Sequence, residues 1–215
     1  ALDSRGYEVP KNAKYTRENL IKHILDAKLS GGGWSQDGKS QNLDLDTSAM
    51  IVYALAPYYA ANADVRKAVD DCLNVFKEKI SEEGDYIYGK SYTCESTAQV
   101  IIAFAAMGID PSGITNAKSG KSLFDGLMKY YLKDTGGFLH AFDEDPKQNI
   151  DPNPMATDQA MEAIAAYLYY KEGLALFDFR AKANTTQYVA QADNGSVFTA
   201  EAGATTDLYV GPGVK

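Results

Sequence analysis

Apolar and polar positions along this chain fall into two kinds of helical stretch, and the two alternate. In "YTRENLIKHILDA" the apolar residues Tyr15, Leu20, Ile21, Ile24 and Leu25 share one face. "VRKAVDDCLNVFKEKI" does the same with Val65, Ala68, Val69, Cys72, Leu73, Phe76 and Ile80, and "SLFDGLMKYYLK" with Leu123, Phe124, Leu127, Met128 and Tyr131. A 3.6-residue period with one wet face predicts an amphipathic helix in each. Between them lie stretches that are apolar nearly all round: "SAMIVYAL" from Ser48, "TAQVIIAF" from Thr97 and "TDQAMEAI" from Thr157. A helix without a polar face is covered on every side. The alternation predicts helices near 16–28, 47–60, 64–80, 96–107, 119–133 and 156–172, taken in turn from an outer and an inner layer.

A repeat underlies the alternation. Gly32-Gly33-Trp34, Gly84-Asp85-Tyr86 and Gly136-Gly137-Phe138 each place glycine just before an aromatic residue, and the aromatics are 52 residues apart each time. A polar loop follows, then a helix led by a hydroxyl residue: Ser48, Thr97 or Thr157. In that register Ala54, Ala103 and Ala163 coincide, and all three are expected to face one continuous core. Helical hairpins recur in this way when no single one can bury its own apolar face.

This combination of glycine-aromatic signal, polar loop and Ala-rich inner helix resembles the α/α-toroid repeats of protein prenyltransferases and squalene/hopene-type terpenoid cyclases. It is similar, more distantly, to the toroids of transcobalamin and intrinsic factor. The nearest resemblance is to toroid domains embedded in large surface proteins of Gram-positive bacteria. It covers residues 14–178. It implies a mainly α fold, a half toroid of three helical hairpins in two layers, whose open arc a homo-oligomer or an adjoining domain would close. It further implies a ligand cavity where the N-terminal ends of the inner helices meet the loops. Trp34, Asp44, Asp46, Tyr86, Tyr92, Glu95, Phe138, His140 and Asp158 are the candidate ligand-binding residues there. Gln99 stands beside them, and the acids Asp143, Glu144, Asp145 and Asp151 lie on the third loop. The implied role is a non-catalytic binding or spacer module of a secreted or cell-surface bacterial protein, with an unidentified small molecule or protein as partner.

The enzymes of the family set the alternative. Asp44-Leu45-Asp46-Thr47 resembles the Asp-x-Asp-Asp motif with which terpenoid cyclases protonate an alkene, but Thr47 stands where the last acid belongs. A strong general acid needs neighbouring carboxylates or burial to hold its proton. Asp46 is instead expected to cap the first inner helix, an ordinary task for Asp, with Trp34 packed over that helix end. Cys94, His140 and Asp46 do not follow the zinc-ligand spacing of prenyltransferases. No Asp-Asp-x-x-Asp is present for a diphosphate-bound magnesium, and Asp70-Asp71 falls on a wet face. No catalytic residue, metal or cofactor is therefore assigned. "NPMATDQA", 153–160, resembles the matching segment of cobalamin carriers, which makes a corrinoid or other small-ligand carrier the third reading. In "DEDPKQNIDPNP", 143–154, the alternating ligands of a calcium loop fail at Lys147.

Composition narrows the partners. The chain has 215 residues, 45% of them hydrophobic, enough for a sizeable core. A net charge of −8 argues against nucleic acid and against an anionic membrane surface. The longest apolar run, Val100 to Met107, is far too short for a membrane span. The chain begins at Ala1 with nothing resembling a signal peptide, and reads as a piece of a longer protein. Cys72 and Cys94 are expected to be buried or half-buried thiols, with a single bridge or a reactive site as the alternative. After residue 178 Thr, Ala and Gly replace the helical pattern. "TTQYVA", "SVFTAE" and "TTDLYVG" read as strands, with Asp193-Asn194-Gly195 as a turn. The domain reading is an N-terminal extension over 1–13, the helical domain over 14–178, and a β-rich tail or the start of a following domain over 179–215.

Overall fold

The computed structural model describes residues 2–88, 91–142, 150–179, 188–191 and 197–200. Among them the chain is mainly helical: α1 (Arg17–Asp26), α2 (Leu45–Leu55), α3 (Ala63–Lys79), α4 (Cys94–Ala106), α5 (Leu123–Met128) and α6 (Pro154–Lys171), with a hairpin of β1 (Tyr86–Tyr88) and β2 (Ser91–Thr93) leading into α4. Each helix has a local reason to begin where it does. Thr16 and Ser122 close reciprocal caps with Asn19 and Asp125. The side chains of Asn62 and Asn153 accept first-turn N–H groups of α3 and α6. Such caps satisfy amides that have no partner within the helix.

α4 packs between α2 and α6, α3 packs on α2, α1 on α3 and α5 on α4. Every residue of α4 from Cys94 to Ala105 is buried, as the all-apolar pattern requires. Phe76 of α3, Tyr86 and Phe104 of α4 meet edge to face, with centroids 6.5 and 6.2 Å apart. The segment ahead of α1 is tied down as well: Asp3 accepts from Arg17 Nε at 2.7 Å and from the Tyr58 hydroxyl at 2.7 Å.

Two expectations need correction. Ala103 and Ala163 are fully buried, but Ala54 is exposed, as is Met50 one turn before it. α2 stands at the end of the row, so its far side lacks the neighbour that α4 enjoys. The fifth helix is also much shorter than 119–133, at six residues. Its early part is an extended loop in which Thr115 bridges Ser122. Its late part turns away to pair with the third glycine-aromatic segment, where Leu139 N–H donates to the Tyr130 carbonyl at 2.9 Å and Tyr131 bridges Phe138.

The 52-residue repeat appears as one hydrogen-bonded arrangement made three times. The backbone N–H of Trp34 donates to the Ser48 hydroxyl at 2.8 Å, that of Tyr86 to Thr97 at 3.3 Å, and that of Phe138 to Thr157 at 2.9 Å. Each aromatic also pairs, through its backbone, with the residue that caps the helix. Asp44 N–H donates to the Trp34 carbonyl at 2.9 Å, Asn153 N–H to the Phe138 carbonyl at 2.8 Å, and Tyr86 faces Thr93 in the hairpin. Gly33 allows the close approach: it sits at φ +75°, and a Cβ there would come within 2.5 Å of Leu43 and 2.9 Å of the Ser48 hydroxyl. The glycine-aromatic spacing thus marks three equivalent seats for three helix starts.

The chain divides into two compact units, Ala1–Asp178 and Phe179–Lys215. In the second, β3 (Tyr188–Gln191) and β4 (Val197–Ala200) pair antiparallel, from Tyr188 opposite Ala200 to Gln191 opposite Val197. These are the first two strands expected in the tail. The expected turn at Asp193-Asn194-Gly195 and the third strand lie outside the described residues.

Ser48→Ala and Thr157→Ala should each destabilise by about 1–3 kcal/mol, because each strands a buried aromatic N–H without its acceptor. Ala54→Ser, on the exposed side of α2, should stay within about 0.5 kcal/mol. Urea unfolding of the three variants measures this, and equal effects at all three positions would contradict the seat.

Candidate functional site

α2, α4 and α6 start at the same end of the row. The Cys94 thiol lies 3.9 Å from the Ala156 carbonyl, and Gln99 Nε2 donates to Gln159 Oε1 at 2.9 Å. Counting from the seat hydroxyl, positions two before, two after and five after define the same face on each helix. That face carries Asp46, Met50 and Tyr53 on α2, Glu95, Gln99 and Ile102 on α4, and Met155, Gln159 and Glu162 on α6. Tyr53 is held above the usual phenol range by burial and by the charge of Glu162 across the row. Phe177, beyond α6, lies 5.5 Å from the Tyr53 ring.

The cap of α2 is Asp44, and the expectation of Asp46 is corrected. Asp44 has extended backbone, and its Oδ1 accepts the Thr47 N–H at 2.7 Å. The helix begins at Leu45, a buried residue that belongs to the core face. Asp46 is therefore already in the first turn, and its carboxyl is free to face α4. Trp34 does pack over this helix end: it is buried, and its ring N–H donates to the Ile24 carbonyl at 2.7 Å.

Burial holds the Asp46 carboxyl above the ordinary aspartate range. The nearby Ser96 hydroxyl opposes this, the carboxylates of Asp44 and Glu95 add to it, and His140 lowers it slightly. Asp46 Oδ1 is out of contact with solvent and has no hydrogen-bond partner among the described residues. Glu95 occupies the equivalent place on α4, only 4% exposed. It is matched by His140, whose Nδ1 stands 2.8 Å from both carboxylate oxygens. With Glu95 ionised the ring donates there, since a carboxylate can only accept. The backbone fixes that pairing, because Cys94 N–H donates to the His140 carbonyl at 2.9 Å. One turn on, Gln99 is 3% exposed and its Oε1 also lacks a partner among the described residues.

The cluster accordingly comprises Asp46, Glu95, Ser96, Gln99, His140 and Gln159. Of the residues singled out from the sequence, Asp46, Glu95 and His140 converge, and Asp44 borders them as the cap. Trp34, Tyr86 and Phe138 are buried in the seats and form the wall behind the helix starts. Tyr92 is exposed on β2, with Lys129 Nζ 5.8 Å from its ring centre. Asp158 is exposed on α6, where its charge helps raise Glu162 after burial does so. Asp151 is exposed in the approach to α6, and Asp143, Glu144 and Asp145 lie outside the described residues. Ser96 and Gln159 were not anticipated. The one signal for Gln159 was its register with Gln99, two residues past the hydroxyl in both helices.

Burial pushes both thiols, Cys72 and Cys94, up to about 12, so neither supplies a thiolate near neutral pH. Both are free and buried. Among the described residues no group of three or more His, Cys, Asp or Glu side chains is placed to hold a metal ion, and no helix is long and apolar enough to cross a membrane. None of the family models, curated proteins or solved structures compared with the chain matches it.

Asp44→Ala should cost about 0.5–2 kcal/mol through loss of the cap, whereas Asp46→Asn should raise the unfolding midpoint at pH 7. The folded-state pKa of Asp46 lies above its ordinary 3.8, so the unfolded chain loses that proton first as pH rises. Ionisation therefore favours unfolding across the window from 3.8 to the raised value, and the penalty persists above it. The gain from Asp46→Asn should shrink as pH falls through that window. Thermal unfolding of both variants from pH 7 to pH 3 checks the two signs.

Proposed function

We propose that residues 14–178 form half of an α/α toroid that works as a non-catalytic binding module of a secreted or cell-surface protein. α2, α4 and α6 are its inner helices and α1, α3 and α5 its outer ones. The arrangement is supported by the recurrence of the seat at three helix starts and by the flanking of α4 by α2 and α6. Exposed apolar residues such as Met161 and Leu168 on α6 leave an end of the open arc where a second copy or an adjoining domain completes it. The extracellular setting rests on the resemblance to toroids of Gram-positive surface proteins.

The observation that carries a binding role is the convergence of buried polar groups at the common end of the inner helices, with two acceptors left unmatched. A buried polar group without a partner is costly, and proteins keep one where function uses it. Among the described residues the thiol at this place, Cys94, is held protonated by burial and supplies no thiolate near neutral pH. One observation favours a terpenoid-cyclase-like second reading: the Asp46 carboxyl, raised by burial and by two neighbouring acids, holds a proton better than an ordinary aspartate.

A screen by native mass spectrometry and thermal unfolding, using isoprenoids, corrinoids and short peptides, separates the readings. Saturable binding without turnover is expected, with stabilisation of about 2.7 kcal/mol at a hundredfold excess over Kd. That stabilisation should fall in Asp46→Asn and Glu95→Gln. A cyclised or hydrated isoprenoid product that disappears in Asp46→Asn would instead establish the enzyme.

A further inference from the structure

We infer that α6 of one copy packs on α2 of a second, head to tail, and that two copies so joined close one ring of inner helices. This deepens the proposed function: it rests on the half-toroid reading and names the partner that completes the arc. The basis is burial at matching positions of the three inner helices. Counted from the seat hydroxyl, the positions three and six further on are Ile51 and Ala54 in α2, Val100 and Ala103 in α4, and Ala160 and Ala163 in α6. They are fully buried in α4 and α6, but Ile51 is half-buried and Ala54 exposed. The position four further on shows the reverse: Val52 and Ile101 are fully buried, whereas Met161 is 54% exposed. Leu168, two turns along the same side of α6, is 59% exposed, with half-buried Ala165 between them.

α4 packs between α2 and α6. The side bearing Ala54, Ala103 and Ala163 therefore faces the helix before it in the row, and the side bearing Val52, Ile101 and Met161 faces the helix after it. Among the described residues α2 has no inner helix before it and α6 none after it. Their unmatched sides are the two halves of a contact that the row already makes twice, so a second copy carries the surface that fits each. The outer layer is incomplete at the same place. α3 reaches both α2 and α4, with Phe76 and Phe104 6.2 Å apart, and α5 reaches both α4 and α6, with Phe124 and Tyr167 4.9 Å apart. α1, ahead of α2, has no buried residue, and its Leu20 is 42% exposed. Charge is kept to the rim, since the exposed acids Asp158 and Glu172 stand at the two ends of the Met161–Leu168 stripe. A contact between unlike faces either closes or runs on as a filament. Curvature favours closure here: Phe177, beyond α6, reaches the Tyr53 ring of α2 at 5.5 Å although α4 lies between the two helices.

Sedimentation equilibrium of the full chain tests this with Met161→Glu, which charges one side of the contact, and Ala54→Glu, which charges the other. Both positions are exposed in a single copy, and circular dichroism checks that each variant folds. The unaltered chain should be a dimer. Each variant alone should associate about a hundredfold more weakly, because an unpaired charge is then buried in both contacts. An equimolar mixture of the two should recover a dimer, since one contact keeps Met161 against Ala54, and native mass spectrometry should find one copy of each variant in it. A monomeric unaltered chain, an open series of larger species, or a dimer lost in Met161→Glu but untouched by Ala54→Glu would overturn the inference. Should either variant fail to fold, Leu168→Glu and Leu20→Glu replace them. A monomer that saturably binds a compound of the ligand screen would remove the pair and leave the binding module. A dimer that loses association in both variants yet is blank in that screen would keep the pair and remove the binding role.

Discussion

The structure depends on one small arrangement, a buried aromatic N–H donating to a hydroxyl on the first turn of a helix. Counted from the cap, Ser48, Thr97 and Thr157 hold the same place in α2, α4 and α6. Ser48 Oγ also reaches back to the Asp44 carbonyl at 2.6 Å, and Thr97 Oγ1 to the Thr93 carbonyl at 3.3 Å. Such local back-bonding normally competes with helix formation. Here it lets one hydroxyl join the helix start, the cap and the incoming aromatic segment. The rotation of each helix about its axis follows, and with it the face carrying Asp46, Glu95 and Gln159. The location of the polar cluster is a consequence of the seats.

The middle repeat shows what happens when the seat is altered. Asp85 stands where the other two repeats have Gly33 and Gly137, and its carboxylate is almost completely buried. An ion in such a place persists only when every oxygen is matched. Asp85 is matched by the Ser81 hydroxyl, by Tyr130 Oη at 2.7 Å and by Lys129 Nζ at 2.6 Å. Lys129 and Tyr130 come from the residues just after α5, where the chain leaves the helix. Gly126 belongs to the same adjustment, since a side chain there would collide with the backbone of Gly84. The residues that follow α5 thus hold a buried acid in a glycine's position.

How far the fold could be read from the chain follows from which interactions depend on residue type. The seats use aromatics 52 residues apart beside glycine and a hydroxyl at the head of each inner helix, and the outer helices carry a 3.6-residue period, so the repeat and the helices are legible. The cap of α2 was misplaced because the continuous apolar run begins at Ser48, and buried Leu45 is hidden between two aspartates. Ala54 was misjudged because periodicity reports a helix face but not whether a neighbour stands there. Ser96 and Gln159 are unremarkable as types, and acquire meaning only once the register of the caps is known. The length of α5 is not legible because its ends are set by contacts outside it, the Thr115–Ser122 bridge before it and the pairing of Tyr130 and Tyr131 with the third glycine-aromatic segment after it.

The two acids of the cluster are not equivalent, and the difference bears on the proposed function. Glu95 is the more deeply buried, yet its charge is met by His140 on both oxygens, and the pair is locked by the backbone bond from Cys94 to the His140 carbonyl. That is a finished structural unit. Asp46 has only the Ser96 hydroxyl beside its carboxyl, and its Oδ1 has no partner among the described residues. The cap of α2 is made by Asp44. Departures from local consistency that bring no structural gain concentrate at functional sites. By that criterion Asp46 is the residue of the cluster to which the proposed binding role attaches first, while Glu95 and His140 form a closed pair beside it.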